Sequence, residues 1–310
     1  MKTYRFATFL LAIGTMVAIL SLLEGFRARE CHFFSHNEVD FQLKDHEALR
    51  VNYSRVTVSC NEKRILIAVL SHSSNFAHRH AIRNTWFRYA GEWTGVFLVS
   101  GPWNKDVARL RKENDQHKDL LLLNSSTLRV AGSPFFIERI VAILAVARAE
   151  NYAWAFKTDD DSFVYVPRLL ELTTSLAVPF YGGAVFTGAS PVRNSNHKDY
   201  VSVETWPKPS YPDYASGAGI LISSHLFHCF QKHLSTLLHP FADVACGEAA
   251  RRCKTTAQNL QGMCPFSCYN LGDNSYWMLH KIQPGQMKKI FRFRNKAFKP
   301  RLAEKSAPTD

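Results

Sequence analysis

Short apolar runs alternate with helical stretches through the middle of the chain. Residues 65–70, 96–99 and 120–123 each have the continuous apolar character of a strand that is buried on both faces. Ser133 and Pro134 provide an N-cap and a first-turn residue for a mostly apolar helix over residues 135–150. Because strands and helices alternate, we expect an α/β fold with a mostly parallel sheet and helices on both faces.

A longer apolar run near the N-terminus, residues 6–23, contains no charged residue. A helix of that length reaches about 27 Å, which is enough to cross the hydrocarbon core of a bilayer. We therefore expect a single transmembrane signal-anchor at 6–23, preceded by a cytosolic tail at 1–5. A cleaved signal peptide is the alternative, but the run exceeds the usual core of roughly 7–15 residues and no A-x-A-like site follows it.

The segment after this run, residues 24–63, mixes polar and aromatic positions without a clear period, as is typical of a stem. We expect the folded domain to span residues 64–290 and to lie in the lumen of the secretory pathway. Glycosylation sequons at Asn52 and Asn124 agree with that compartment.

The chain has seven cysteines, an odd number that leaves at least one unpaired in an oxidising compartment. Cys31, just beyond the apolar run, is our candidate for the odd cysteine and for a link between two chains in a homodimer. The last four cysteines lie within residues 246–268. Their Cys-x6-Cys and Cys-x3-Cys spacings favour disulfides over a zinc site, which usually has a two-residue knuckle.

The composition of the 310 residues, 46% apolar and 21% charged, is that of an ordinary globular protein, and it excludes a disordered chain or a multi-span membrane protein. The net charge of +12 suggests a nucleic-acid partner. However, residues 286–310 contain eight Lys or Arg against two acidic residues. We therefore expect a basic C-terminal tail at 291–310, either solvated or in contact with anionic glycans or lipid, and no nucleic-acid binding.

Three consecutive carboxylates, Asp159, Asp160 and Asp161, follow the strand-like residues 153–157 and precede the apolar residues 163–166. In open α/β sheets the ligand crevice lies at the carboxyl ends of the strands. Adjacent carboxylates repel one another, and a divalent cation such as Mn or Mg compensates for this repulsion. A solvated acidic turn is the alternative, but the position between two strands favours the metal site.

Five separated blocks carry a resemblance to a known family. They are residues 79–86, which fit R-x-x-I-R-x-T-W, residues 156–164 with the Asp triplet, residues 211–223, which fit Y-P-x-Y-x-S-G-x-G, residues 242–247, which fit E-D-V-x-x-G except at the first position, and residues 276–280. The chain resembles the inverting glycosyltransferase family 31, the β-1,3-galactosyltransferase-like enzymes. The resemblance implies a GT-A-type Rossmann-like fold and a type II membrane protein of the Golgi apparatus.

The resemblance also implies roles for individual residues. The residues that it implies for donor binding are Arg79, Arg83, Asp159, Asp160, Gly217, Ala218 and Gly219. The residues that it implies for metal binding are Asp161, Asp159 and His280. Structural ion pairs are the alternative for the two arginines, and a plain turn into a buried strand is the alternative for the glycine-rich stretch. Asp243 matches the position of the general base, which takes the proton from the acceptor hydroxyl during inversion.

Three positions depart from the family pattern: Ala242 replaces an acidic residue, Arg139 stands where lysine is common, and Ile220 replaces an aromatic residue. The implied activity is transfer of galactose from UDP-galactose to the 3-hydroxyl of an acceptor glycan or glycoprotein, with Mn or Mg as cofactor. One alternative is the same transfer from UDP-N-acetylglucosamine. A second alternative, which Ala242 favours, is an inactive member that serves as a lumenal chaperone or partner.

Overall fold

The structure is a computed structural model that describes residues 36–41, 49–54, 63–100, 106–123, 135–271 and 273–304. The predicted cytosolic tail and signal-anchor, together with Cys31 and Asn124, lie outside these residues. None of the helices in the described ranges combines the length and the apolar composition of a membrane span.

The described residues contain twelve strands, seven α-helices and one short 3-10 helix, Trp86–Arg88. The strands are β1 (His36–Phe41), β2 (Leu49–Ser54), β3 (Lys63–Ser71), β4 (Trp93–Ser100), β5 (Leu120–Leu123), β6 (Tyr152–Asp159), β7 (Phe163–Val164), β8 (Tyr181–Phe186), β9 (Tyr214–Ser223), β10 (Gln258–Asn259), β11 (Met263–Ser267) and β12 (Met278–His280). The helices are α1 (Phe76–Arg83), α2 (Val107–His117), α3 (Phe135–Ala149), α4 (Val166–Ser175), α5 (Ser224–Leu234), α6 (Ala242–Arg252) and α7 (Pro284–Glu304).

The main sheet has nine strands in the order β1-β2-β5-β4-β3-β6-β9-β8-β10. Its centre, β5-β4-β3-β6, is parallel, as the alternation of strands and helices predicts. The flanks differ, because β1, β2 and β5 pair antiparallel, as do β6, β9 and β8. The sheet is therefore mixed, and the expectation of a mostly parallel sheet is wrong. The apolar pattern of a single strand did not show whether β9 pairs parallel or antiparallel with its neighbours.

Two strands lie inside the segment expected to be a stem. β1 pairs with β2 in the register Glu38 to Asn52, and β2 pairs with β5 in the register Asn52 to Leu122. The boundary expected between residues 63 and 64 therefore falls within β3 and separates β1 and β2 from the sheet to which they belong. Asn52, one of the two predicted glycosylation sites, lies on a strand with a neighbour on each side.

The folded domain also continues beyond its expected end at residue 290, because α7 extends into the expected basic tail. Arg294 on this helix is buried, and its guanidinium lies 5.5 Å from the ring centre of Phe163 and 5.4 Å from that of Tyr165. The folded domain thus extends past residue 290.

Helices cover both faces of the main sheet and enclose two hydrophobic cores. Alternate residues of β3 divide between them, with Leu66 and Ala68 in one core and Ile65 and Ile67 in the other. Helices α3, α5 and α6 fill the first core. Helices α1, α4 and α7, with the small sheet β11-β12-β7, fill the second.

Two disulfides occur among the described cysteines, which confirms the expectation of disulfides. Cys229 on α5 bonds to Cys253 at the end of α6, and Cys264 bonds to Cys268 across a five-residue loop. Cys246 is buried and unpaired. Cys246 is therefore an unpaired cysteine in the described part of the chain, whereas the sequence suggested Cys31 as the unpaired one.

Candidate active site

A cavity of about 520 Å³ opens where β3 and β6 end, at the sheet edge expected to hold a ligand. Residues from six elements line it: Ser71 from β3, Arg139 from α3, Lys157 and Asp159 from β6, Gly217 from β9, Asp243 from α6 and His280 from β12. The volume lies within the range of small-molecule sites, roughly 300–1,000 Å³.

Asp159, Asp161 and His280 converge on one side of the cavity. The Nε2 atom of His280 lies 3.2 Å from Asp161 Oδ1 and 3.6 Å from Asp159 Oδ2. The small sheet causes this meeting, because β12 pairs with β7 directly after the Asp triplet. The three residues predicted to bind a metal are therefore brought together, with one ligand atom from each lying within 4.8 Å of the others.

The hydrogen bonds of His280 fit a cation at this trio. Its Nδ1 atom donates to the carbonyl of Pro265 at 2.9 Å, so the neutral ring directs the lone pair of Nε2 towards the carboxylates. In that tautomer the buried Oδ1 atom of Asp161 accepts no hydrogen bond. Two carboxylate groups and one imidazole nitrogen form a donor set that suits Mn²⁺ or Mg²⁺.

The two carboxylates beside His280 favour its protonated form, so a proton and a cation compete for the same Nε2 lone pair. Burial lowers the pKa of His280, but its contacts with Asp161 and the Pro265 carbonyl outweigh burial and raise the pKa above its usual value. Burial raises the pKa of Asp161, but His280 beside it brings the net pKa below the ordinary range. Asp161 therefore stays ionised and available to a cation.

Asp160, the middle carboxylate, faces away from the trio. Its Oδ2 atom accepts hydrogen bonds from Ser71 Oγ at 2.7 Å and from Asn75 Nδ2 at 2.9 Å. Asp160 lines the cavity, as a donor-binding residue would, but β3 and the start of α1 hold its carboxylate. Asp159 and Asp161 are therefore candidate metal ligands, whereas hydrogen bonds hold the carboxylate of Asp160 in place.

Asp243 lines the same cavity and stands at the second position of α6. Its Oδ1 atom accepts the backbone N–H of Val244 at 2.9 Å. Burial raises the pKa of Asp243 above its ordinary value, although backbone N–H donors and the charge of Lys157 oppose the change. A partly desolvated carboxylate of this kind is a stronger base than a solvated one.

Gly247 sets the position of Asp243. A Cβ atom at Gly247 would lie 2.7 Å from the carbonyl oxygen of Asp213 and 2.8 Å from the Cβ of Tyr214, so the helix backbone rests directly on β9. Gly247 and Asp243 are one helical turn apart and share a face. The same contact therefore places Asp243 over Gly217, the glycine of β9 that lines the cavity.

Lys157 links Asp159 of the trio to Gly217, the glycine next to Asp243, a role that was not predicted from the sequence. Its Nζ atom forms an ion pair with Asp159 Oδ1 at 2.7 Å and donates to the carbonyl of Gly217. The sequence did contain an indication of this role. Lys157 is a single lysine in an apolar strand, and because it lies two residues before Asp159 it is on the same strand face.

Arg139, noted in the sequence only as a departure from a family pattern, also lines the cavity. Burial lowers its pKa to about 10, while the nearby carboxylates of Asp159 and Asp160 oppose the change. Arg139 is therefore a cation at neutral pH, and together with Lys157 it makes this wall of the cavity suitable for an anionic ligand.

The glycine-rich stretch contributes one of its three predicted residues. Gly217 lines the cavity, but Ala218 is buried in the second core. A Cβ atom at Gly219 would lie 2.5 Å from the side chain of Met263 and 3.2 Å from the ring of Phe156. Ala218 and Gly219 thus serve packing, as the alternative of a turn into a buried strand proposes.

Arg79 and Arg83 lie outside the cavity lining, in ion pairs that join α1 to α2. Arg79 is fully buried and forms a two-bond pair with Glu113 at 2.8 and 2.9 Å. Arg83 bonds to the same glutamate and, through two further bonds, to Asp119. Of the two interpretations drawn from the sequence, this arrangement favours structural ion pairs over contact with a donor.

Arg79 nevertheless stabilises the site indirectly, through hydrogen bonds to Ser71 and to the loop after β3. Its Nη1 atom donates to Ser71 Oγ at 2.9 Å, and that hydroxyl in turn donates to Asp160. The guanidinium also holds the carbonyls of His72 and Ser73. These bonds fix the loop between β3 and α1, on which the position of Asp160 depends.

We expect Arg79→Ala to lower the free energy of unfolding by about 3–5 kcal/mol, because it leaves the buried Glu113 without one of its partners. Thermal or denaturant unfolding measures the change. Arg64→Ala is the matched control, since its pair with Glu92 is exposed and contributes at most about 1 kcal/mol. Equal losses in the two variants would contradict the structural role.

The galactosyltransferase family matches residues 77–261. The mouse UDP-GlcNAc:betaGal beta-1,3-N-acetylglucosaminyltransferase 8 is 31% identical over 201 residues, which cover 61% of this chain and 51% of that protein. The beta-1,3-galactosyltransferase bre-5 of Caenorhabditis elegans is 26% identical over 220 residues, which cover 66% of each chain. Among solved structures, the WbbM bifunctional glycosyltransferase has 13% identity and a TM-score of 0.41, covering 76% of this chain and 45% of that one.

The chain thus spans between half and two thirds of the length of these two curated relatives. The family match covers more than half of the chain and contains four of the five sequence blocks, including the Asp triplet and Asp243. The resemblance predicted from those blocks is confirmed, and the chain belongs to the galactosyltransferase family.

Proposed function

We propose that this protein is an inverting glycosyltransferase of the GT-A type that moves galactose from UDP-galactose to the 3-hydroxyl of an acceptor glycan. One observation carries the proposal. The carboxylate of Asp243 and the Asp159, Asp161 and His280 trio face a single cavity at the carboxyl ends of the central strands. One side supplies a base, and the other supplies ligands for a cation beside a diphosphate.

Asp243 performs the proton transfer in this mechanism. Its ionised carboxylate accepts the proton of the acceptor 3-hydroxyl while the hydroxyl oxygen forms a bond to the anomeric carbon of the donor. The bond between that carbon and the diphosphate oxygen breaks, and its electron pair leaves with UDP. Because attack occurs opposite the leaving group, the configuration inverts and no covalent bond to the protein forms.

The opposite wall stabilises the departing group. Asp159, Asp161 and His280 would hold Mn²⁺ or Mg²⁺, which when bound neutralises negative charge on the diphosphate as a Lewis acid. Arg139 adds a positive charge near Asp159 and Asp160. Lys157 keeps the Asp159 carboxylate in place and lies between the leaving-group side and the base.

UDP-N-acetylglucosamine remains the alternative donor, because the relatives named above divide between the two sugars. An inactive protein is the second alternative, since Ala242 at the cavity replaces the acidic residue of the family pattern. The placement of Asp243, one residue later and facing the cavity, supports an active enzyme. We extend the proposal to a Golgi membrane protein anchored at 6–23, with a homodimer linked through Cys31.

Lys157→Met should shift the acid limb of the pH profile of transfer to higher pH. Lys157 lowers the pKa of Asp243, so its removal raises that pKa further, and a larger share of the base is protonated at a given pH. Initial rates across pH, each scaled to the plateau of the same variant, measure the shift. Lys289→Met, an exposed change on α7, is the control, and equal profiles for the two variants would refute the role of Lys157.

A screen of UDP-sugar donors against acceptor glycans, with UDP release as the readout, tests the proposed function. We expect Mn²⁺-dependent release with UDP-galactose and a β-linked product at the 3-position. Preference for UDP-N-acetylglucosamine would select the alternative donor. Binding of UDP without any transfer would select the inactive member.

Fractionation of cells that express the full chain tests the proposed anchor separately. Secretion of the protein without a membrane-bound fraction would contradict the anchor.

A further inference from the structure

Phe266 is an aromatic residue with an unusually open position in this fold. Its side chain is 60% exposed, whereas the other phenylalanines of the described ranges with assigned burial are half-buried or buried. A lone exposed ring is common on protein surfaces and needs no explanation. This ring, however, is at the centre of the loop closed by the Cys264 to Cys268 disulfide, which restricts its movement.

Phe266 lies between two residues that adjoin His280, one of the residues that line the candidate active site. The preceding residue, Pro265, accepts the hydrogen bond from Nδ1 of His280. The following residue, Ser267, is the register partner of His280 between β11 and β12. Phe266 is therefore flanked on both sides by residues that contact a cavity-lining histidine.

A row of three rings, which lies outside the cavity lining, runs from Phe266 to the start of β9 beside the helix that carries Asp243. The ring centre of Phe266 lies 5.9 Å from that of Phe186, and Phe186 lies 5.5 Å from Tyr214. Phe186 and Tyr214 are also register partners at the ends of β8 and β9. The three rings form an apolar surface that runs from the interior to solvent.

The inner end of the row lies close to the proposed base. Tyr214 contacts α6 at Gly247, one helical turn from Asp243 on the same helix face. Burial raises the pKa of Tyr214 to about 12, and the nearby charge of Asp243 adds to the change. An acceptor with its hydroxyl at Asp243 thus has the row as a continuation of its site.

We propose that Phe266, with Phe186 and Tyr214, forms an extended acceptor subsite that binds the apolar face of the sugar next to the one receiving the transfer. The proposal rests on the proposed function. Sugar rings carry C–H faces that pack on aromatic rings, and an aromatic contact of this kind contributes modestly to affinity. Acceptors with two sugars therefore bind more tightly than a monosaccharide, and Phe266 is a specificity residue with no part in the chemistry.

The test compares methyl β-galactoside with lactose, which carries a second sugar on its galactose. Binding of each to the full chain loaded with Mn²⁺ and UDP is measured by calorimetry, with transfer rates in parallel. We expect Phe266→Ala to weaken lactose binding by about two- to tenfold, the loss of one ring contact, and to leave methyl β-galactoside unchanged. Phe266→Tyr, which keeps the ring, should retain lactose binding.

Val178→Ala is the control for loss of an exposed apolar side chain, because Val178 is 46% exposed and precedes β8 at the end opposite Phe186. Lactose binding to the wild-type protein no tighter than methyl β-galactoside would overturn the subsite. Equal weakening of both sugars in Phe266→Ala, or weaker Mn²⁺ binding in that variant, would also overturn it. Sugar binding is read without turnover, so an absence of transfer with every donor would count against the proposed function alone.

Discussion

Asp161→Ala should abolish Mn²⁺ binding and reduce sugar transfer on the order of 10³-fold. The change removes the carboxylate 3.2 Å from His280 Nε2, leaving Asp159 and His280 as the remaining members of the trio. A metal ion at a developing negative charge supplies several kcal/mol of stabilisation, and each 1.36 kcal/mol corresponds to tenfold in rate. Calorimetric titration with Mn²⁺ and UDP-release assays measure the two effects.

Asp115→Ala on α2 is the control, since this carboxylate is exposed and its ion pair with Lys118 lies at the surface. It should bind Mn²⁺ and turn over as the wild-type protein does. If Asp161→Ala retained normal turnover without metal, the assignment of the trio would be wrong. If it lost turnover but kept Mn²⁺ affinity, Asp161 would act on the substrate and not as a ligand.

Asp243→Asn should lower transfer by roughly 10²–10⁴-fold, the contribution of a general base. The amide oxygen can still accept the N–H of Val244, so the start of α6 keeps its structure. Since burial raises the pKa of the native carboxylate, a neutral amide removes a desolvation cost, and the midpoint of thermal unfolding should stay level or rise. Transfer assays, UDP binding and thermal unfolding together test the assignment.

Asp213→Asn is the matched control for Asp243→Asn, because Asp213 is an exposed carboxylate next to the same helix. UDP and Mn²⁺ affinities should be equal in the two variants, with the loss of transfer confined to Asp243→Asn. Retained transfer in Asp243→Asn would exclude it as the base. Loss of UDP binding would instead place the carboxylate against the donor.

The sequence predicted that Asp159, Asp161, His280 and Asp243 lie at one site because each belongs to a block that resembles the family pattern. The Asp triplet follows a strand, and that local context already indicates the sheet edge where ligands bind. The arrangement of His280 could not be worked out in this way, because it depends on the pairing of β12 with β7, more than a hundred residues apart. For that residue the family resemblance supplied what spacing did not.

Charged residues were assigned less well, since a sequence does not show which charges are paired in the interior. Arg79 and Arg83 look like anion-binding residues, but Glu113 and Asp119 on and after α2 neutralise them. Lys157 looks like part of a strand, yet it faces the cavity. The direction of β9 and the strands β1 and β2 were missed for a related reason, since partners distant in sequence determine strand pairing.

The loop from Cys264 to Cys268 allows chemistry and specificity to vary independently. His280 is oriented by a backbone carbonyl, that of Pro265, which persists whatever side chain follows it. The ring of Phe266 points outward from the same loop and carries no hydrogen bond to the trio. If Phe266 binds the acceptor as proposed, mutation at position 266 changes acceptor contacts and leaves His280, the proposed metal ligand, in place. The loop is then a point where related proteins can diverge in small, viable steps.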